Sequence, residues 1–106
     1  MTAGGGFCCD MKAMTREERG RYKVLRAKLE AAVVSVREMA DGYRLQLRGE
    51  GISAEELAEW IEFEKKCCPF FTLEMSQEGE SRELRITGGE GVKDFVRAEF
   101  TAIRFE

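Results

Sequence analysis

The apolar positions of the chain follow two periods, and the switches between them mark out its elements. Tyr22, Leu25, Leu29 and Ala32 recur at intervals of three and four, the spacing of one helix face. Thr15-Arg16-Glu17-Glu18 in front of them reads as a capping box and predicts a helix start there. Val33 to Met39 then reads as a strand, Asp41-Gly42 as a hairpin turn, and Tyr43, Leu45 and Leu47 as the returning strand, with the period reduced to two. Ser53-Ala54-Glu55-Glu56 is a second capping box. The helix behind it is expected to end near residue 67, because Pro69 cannot continue a helix and pushes the residue before it toward extended geometry. Phe71, Leu73 and Met75 alternate and predict a strand from about 70 to 77. Glu78-Gly79-Glu80-Ser81 supplies a turn, and Leu84 and Ile86 alternate in the next strand. Gly88-Gly89-Glu90-Gly91 interrupts it, and Val92, Phe95, Val96, Phe100 and Ile103 mark a closing helix.

This order predicts an α+β fold: an N-terminal helix followed by two ββα units, with a four-stranded antiparallel sheet and helices mainly on one face. The two units resemble each other. Glu38-Met39, Leu45/Leu47 and Gly49-Glu50-Gly51 match Glu74-Met75, Leu84/Ile86 and Gly89-Glu90-Gly91, with an offset drifting from 36 to 40 residues. The length of 106 residues fits a single domain over 15–106. Residues 1–14, with three glycines and then Cys8 and Cys9, read as a flexible N-terminal segment.

Composition narrows the function classes. A net charge of −3 gives no electrostatic footprint for nucleic acid. The apolar runs are far too short for a membrane span, and Met1-Thr2-Ala3-Gly4-Gly5-Gly6 lacks the basic and apolar regions of a signal peptide. The expected location is therefore the cytoplasm, where cysteines serve as thiols, ligands or redox groups more often than as structural disulfides. The chain has no histidine, which removes the usual general base and the commonest nitrogen ligand for metals. A Ser–His–Asp or Cys–His arrangement is excluded, and any metal site has to be built from Cys, Asp, Glu, Met and backbone. Binding rather than catalysis is the leading reading.

The four cysteines form two doublets, Cys8-Cys9 and Cys67-Cys68. At 100° per residue, Leu57, Ile61, Glu64 and Cys68 fall on one stripe of the second helix, and Trp60, Phe63 and Cys67 on its neighbour. Adjacent cysteines should therefore point in different directions, and a disulfide between them would close a strained ring. Glu64 shares a stripe with apolar anchors, so it sits at the rim of the core or is paired. If the N-terminal doublet reaches the second one, sulfurs from both surround a soft cation, Hg(II), Cu(I) or Zn(II). The candidate ligands are Cys8, Cys9, Cys67, Cys68 and Glu64, and adjacent cysteines suit low-coordinate Hg(II) or Cu(I) better than structural zinc. Within the second doublet, Cys68 is expected to be the more buried and Cys67 the more reactive. Met11, Met14 and Met75 read as core. The partner is then a metal ion or a small thiol-reactive ligand, with no nucleic acid, no membrane and no identified protein. Two alternatives stay open: a thiol–disulfide redox protein, and a non-catalytic interaction domain with buried cysteines and an exposed Phe70/Phe71 corner.

Glu64-Lys65-Lys66-Cys67-Cys68-Pro69-Phe70-Phe71 resembles a motif, E-R/K-x-C-C-P-F-L/F, of small and mostly uncharacterised bacterial proteins. These share an upstream cysteine, an early helix with Thr and paired acidic residues, and a closing L-x-I-T-G strand, here Leu84-Arg85-Ile86-Thr87-Gly88. They occur in heavy-metal or MerR-type regulatory contexts. The resemblance implies that Glu64, Cys67, Cys68 and one of Cys8 or Cys9 form the functional cluster.

Overall fold

A computed structural model describes residues 11–100 and 103. It contains α1 (Arg16–Ala32), β1 (Val33–Met39), β2 (Gly42–Arg48), α2 (Ala54–Cys67), β3 (Thr72–Glu78), β4 (Ser81–Thr87) and α3 (Val92–Glu99). Both capping boxes form. The Thr15 hydroxyl accepts from the Glu18 N–H at 3.1 Å while the Thr15 N–H donates to the Glu18 carboxylate at 2.9 Å. Ser53 and Glu56 repeat the exchange at 3.0 Å in both directions. Each box satisfies two of the N–H groups that a helix start leaves without partners, which fixes where α1 and α2 begin and which faces they turn inward.

The strand order is β1-β2-β4-β3, antiparallel throughout. Two hairpins are thus joined through their second strands, with Leu45 opposite Leu84 at the centre. Both strands of the second hairpin begin 39 residues after their counterparts, at 72 against 33 and at 81 against 42. Val36 and Leu45 pair as Met75 and Leu84 do. The constant offset replaces the drifting one read from the sequence. The match of Glu38-Met39 to Glu74-Met75 is three residues out of register, and an odd slip places side chains on the wrong face of the sheet.

Tyr43, Leu45, Leu47, Leu84 and Ile86 are buried on the face covered by the helices, with Val36, Leu73 and Met75 packed against the same core. The reverse face is polar. Arg44 and Arg85 both contact Glu83 at 3.2 Å, and Arg85 reaches Glu74 at 3.5 Å. An irregularity in the β1–β2 register between Val33 and Ser35 leaves Val34 exposed and brings Val33 and Val36 to the core together. At Gly42, at the start of β2, a Cβ would stand 1.9 Å from the Ile86 carbonyl oxygen of β4, so the central pairing requires glycine there.

Three boundaries differ from the expectation. Met11–Ala13 form a short 3₁₀ turn and Met14 is buried in the core, so ordered packing begins before residue 15. β3 starts at Thr72 rather than near 70, because Phe70 and Phe71 pack edge-to-face on each other and on Phe95. α3 ends at Glu99, and Phe100 leaves helical geometry to pack edge-on against Trp60 beneath Arg26. No helix among the described residues is long and apolar enough to cross a membrane.

Candidate metal centre

The last two turns of α2 carry Trp60, Glu64 and Cys67 on one face, and all three are fully buried. The spacing i, i+4, i+7 turns this face toward α1. Tyr22 of α1 donates its hydroxyl to Glu64 Oε1 at 2.8 Å. One turn further along α1, Arg26 pairs with Glu30 at 3.2 Å and with the Glu99 carboxylate at 3.6 Å, donates to the Glu99 carbonyl, and lies over the Phe100 ring. A carboxylate removed from water loses much of its solvation, so burial pushes Glu64 up to about 7. The Tyr22 hydrogen bond and Arg26 act against this shift, and Glu99 adds to it. The Tyr22 hydroxyl is itself raised, by burial and then by Glu64.

The second ingredient is the way α2 stops. The Cys68 N–H still donates to the Glu64 carbonyl at 2.7 Å, but Cys68 has left helical geometry at φ −133° and ψ 68°. Pro69 has no N–H to extend the ladder, and the Phe71 N–H turns back onto the Cys68 carbonyl at 3.2 Å. This swing brings the sulfurs of Cys67 and Cys68 to 3.9 Å from each other. The expectation that the two point apart is therefore overturned: it held both residues to ideal helix geometry, and Cys68 does not keep it. A Glu64 carboxylate oxygen and the two sulfurs all lie within 4.8 Å of one another.

The two sulfurs differ in chemical state. Cys68 is disulfide-bonded, whereas Cys67 keeps its thiol, so the doublet is not bridged to itself. Both residues are 0% exposed. Burial, and after it the nearby Glu64, pushes the Cys67 thiol up to about 12. The thiol form therefore dominates at neutral pH. Cys68 is buried as expected, and Cys67 is buried to the same extent. Cys8 and Cys9, the remaining sequence candidates, lie outside the described residues.

Other expectations resolve at the same corner. Met14 is core and Met75 is packed against it. Phe71 is buried, so the idea of an exposed Phe70/Phe71 corner is corrected by their packing on Phe95. The glycine run before α3 behaves as a strand-to-helix turn, with Gly91 at φ 94°. A recess of about 490 Å³ beside it is lined by acidic and basic groups together. Within it Lys93 pairs with Glu38, and Arg97 donates to the Tyr43 hydroxyl at 3.1 Å.

Sequence reasoning missed Tyr22, which it took for core alone. The available signal was Glu64 on an inward stripe: a buried carboxyl requires a donor, and Tyr22 is the residue with a hydroxyl on the inward face of α1. No protein-family model matches the chain, and neither does any curated protein or solved structure.

Proposed function

We propose that this chain binds a soft metal ion through the sulfurs of Cys67 and Cys68 and the carboxylate of Glu64, for sensing, sequestration or handover. The observation that carries this reading is the convergence of the three donors to within 4.8 Å inside the protein. Burial of two sulfurs and a carboxyl without an ion has a desolvation cost, and a bound cation offsets it. Two thiolates neutralise a divalent ion, so the site keeps no net charge while Glu64 is protonated, and ionised Glu64 becomes a third ligand. Sulfur donors select thiophilic ions over Mg or Ca.

The sulfur separation bears on coordination number. With metal–sulfur bonds of about 2.3 Å, a span of 3.9 Å corresponds to an S–metal–S angle of about 116°. That angle suits a three- or four-coordinate ion. Zn(II), or Hg(II) and Cu(I) in their higher-coordinate forms, meet this geometry, with Cys8 or Cys9 as the source of a further sulfur. The Cys-Cys-Pro-Phe resemblance to proteins of heavy-metal contexts points the same way.

The disulfide at Cys68 favours a second reading, thiol–disulfide exchange. Its weakness is Cys67: the attacking species in exchange is a thiolate, and this thiol is raised to about 12. The test is titration of reduced, chelator-treated protein with Cd(II) as a thiophilic probe. We expect one equivalent to bind with sulfur-to-metal charge-transfer absorption, and Cys67→Ala, Cys68→Ala and Glu64→Gln each to weaken binding. Wild-type absorption that Cys67→Ala leaves unchanged would place the metal elsewhere.

A further inference from the structure

The polar face of the sheet carries a charge arrangement that packing does not require. Directly opposite residues of an antiparallel pair project to the same face, with Cβ atoms about 4.5–5.5 Å apart. Arg37 of β1 stands opposite Arg44 of β2, and Arg44 stands opposite Arg85 of β4. Glu74 of β3 completes the row opposite Arg85. Three arginines thus rise from one line across three neighbouring strands, a span of about 10 Å. Like charges directly opposite each other destabilise a sheet, and the acids of this face relieve the row unevenly. Arg85 contacts Glu83 at 3.2 Å and Glu74 at 3.5 Å. Arg44 shares the same Glu83 oxygen, Oε2, at 3.2 Å. Arg37 is exposed and has no ion pair among the described residues. Three positive charges against two negative ones leave the row positive, on a chain whose net charge is −3.

We infer that this row binds a small oxyanion with two linked anionic groups, of the diphosphate class. A guanidinium presents a planar fork of N–H donors that matches phosphate oxygens two at a time. The acids engage only Nε of Arg44, and only Nε and Nη1 of Arg85. The other N–H donors of these two side chains, and the whole fork of Arg37, are left for a ligand. A recess of about 330 Å³ adjoins the row, lined by Arg44, Arg85, Gln46, Ser76 and Glu83 among others, so amide and hydroxyl donors stand beside the guanidiniums. Glu83 faces the same recess; its Oε2 lies between two guanidiniums and keeps Arg44 and Arg85 side by side. The length of the row decides the ligand's form. A single phosphate meets one or two of the arginines, whereas two linked phosphates reach all three. The site is independent of the metal centre, since the helices that carry Tyr22, Glu64 and Cys67 cover the opposite face of the sheet.

The test is a titration of the intact chain with pyrophosphate, followed by amide NMR shifts, with ionic strength held constant by sodium chloride. We expect saturable shifts centred on Arg37, Arg44 and Arg85. Arg37→Gln and Arg44→Gln should each weaken binding at least about 10-fold, the scale of a lost charge-assisted hydrogen bond. Both residues lie on the polar face, so the amide spectra of the variants should stay folded. Orthophosphate should bind at least about 10-fold more weakly than pyrophosphate. Arg21→Gln removes one positive charge from α1, where Arg21 pairs with Glu59, and should leave the affinity unchanged. No saturable shift by about 10 mM pyrophosphate overturns the site. Equal weakening in Arg21→Gln assigns the effect to net charge and overturns it as well, as do shifts confined to the glycine turn before α3. Orthophosphate binding as tightly as pyrophosphate overturns the two-group ligand.

Discussion

Replacing Glu64 by glutamine probes how the buried carboxyl is held. Glu64 titrates near 7 in the fold against an ordinary value of 4.5. Below the ordinary value it is protonated in both folded and unfolded chains, so its contribution to stability is fully present. As pH rises, the unfolded chain loses the proton first, and stability falls until the folded carboxyl has titrated as well. Between pH 5 and pH 8 this raised value corresponds to a loss of about 2–3 kcal/mol. Glutamine mimics the protonated acid: its oxygen can accept the Tyr22 hydroxyl and it carries no charge. The groups facing this position are Tyr22 and Arg26 from α1, Glu99 from the end of α3, and Cys67 on α2 itself. Cys67 is raised to about 12, well above the window. Urea unfolding with a chelator present and the disulfide intact, followed by fluorescence of the single and fully buried tryptophan, Trp60, measures both proteins. The stability of Glu64→Gln minus that of wild type should rise by about 2–3 kcal/mol from pH 5 to pH 8. A difference that stays within about 0.5 kcal/mol over this range would show that the carboxyl titrates normally and refute the buried-acid account.

Three further substitutions test the frame around the site. Tyr22→Phe removes the hydroxyl that holds Glu64, so the Glu64 titration should move further up in an NMR pH series, and stability should drop by about 1–2 kcal/mol. Gly42→Ala should cost more than about 2 kcal/mol in urea unfolding, because its Cβ would collide with a backbone carbonyl that cannot move without parting β2 from β4. Ser53→Ala should cost about 1 kcal/mol, readable as a shift in unfolding midpoint, since it takes one half of the capping exchange from α2.

The frame was legible because local signals agreed with one another. Two capping boxes, one Asp-Gly turn and the alternation of Tyr43, Leu45 and Leu47 each favour one element at one place. The order of the strands was not legible. Pairing of β2 with β4 is a long-range choice between strands of equal length, and its register became apparent only through the constant 39-residue spacing of the hairpins. The site was half legible. Glu64 on an apolar stripe signalled a buried carboxyl, and Cys67-Cys68 signalled sulfur chemistry. The helical projection failed at Cys68, the residue where Pro69 ends the helix, and there a change of backbone angles moves the sulfur from a separate stripe to 3.9 Å from its neighbour. Nor does a sequence report the oxidation state of a sulfur, so the disulfide at Cys68 was out of reach.

The most direct test of the central claim is X-ray absorption spectroscopy of reduced protein loaded with one equivalent of Zn(II). The account predicts two or more sulfur scatterers at about 2.3 Å together with an oxygen scatterer at about 2.0–2.2 Å, and loss of a sulfur in Cys67→Ala. A shell of oxygen and nitrogen scatterers alone would contradict it.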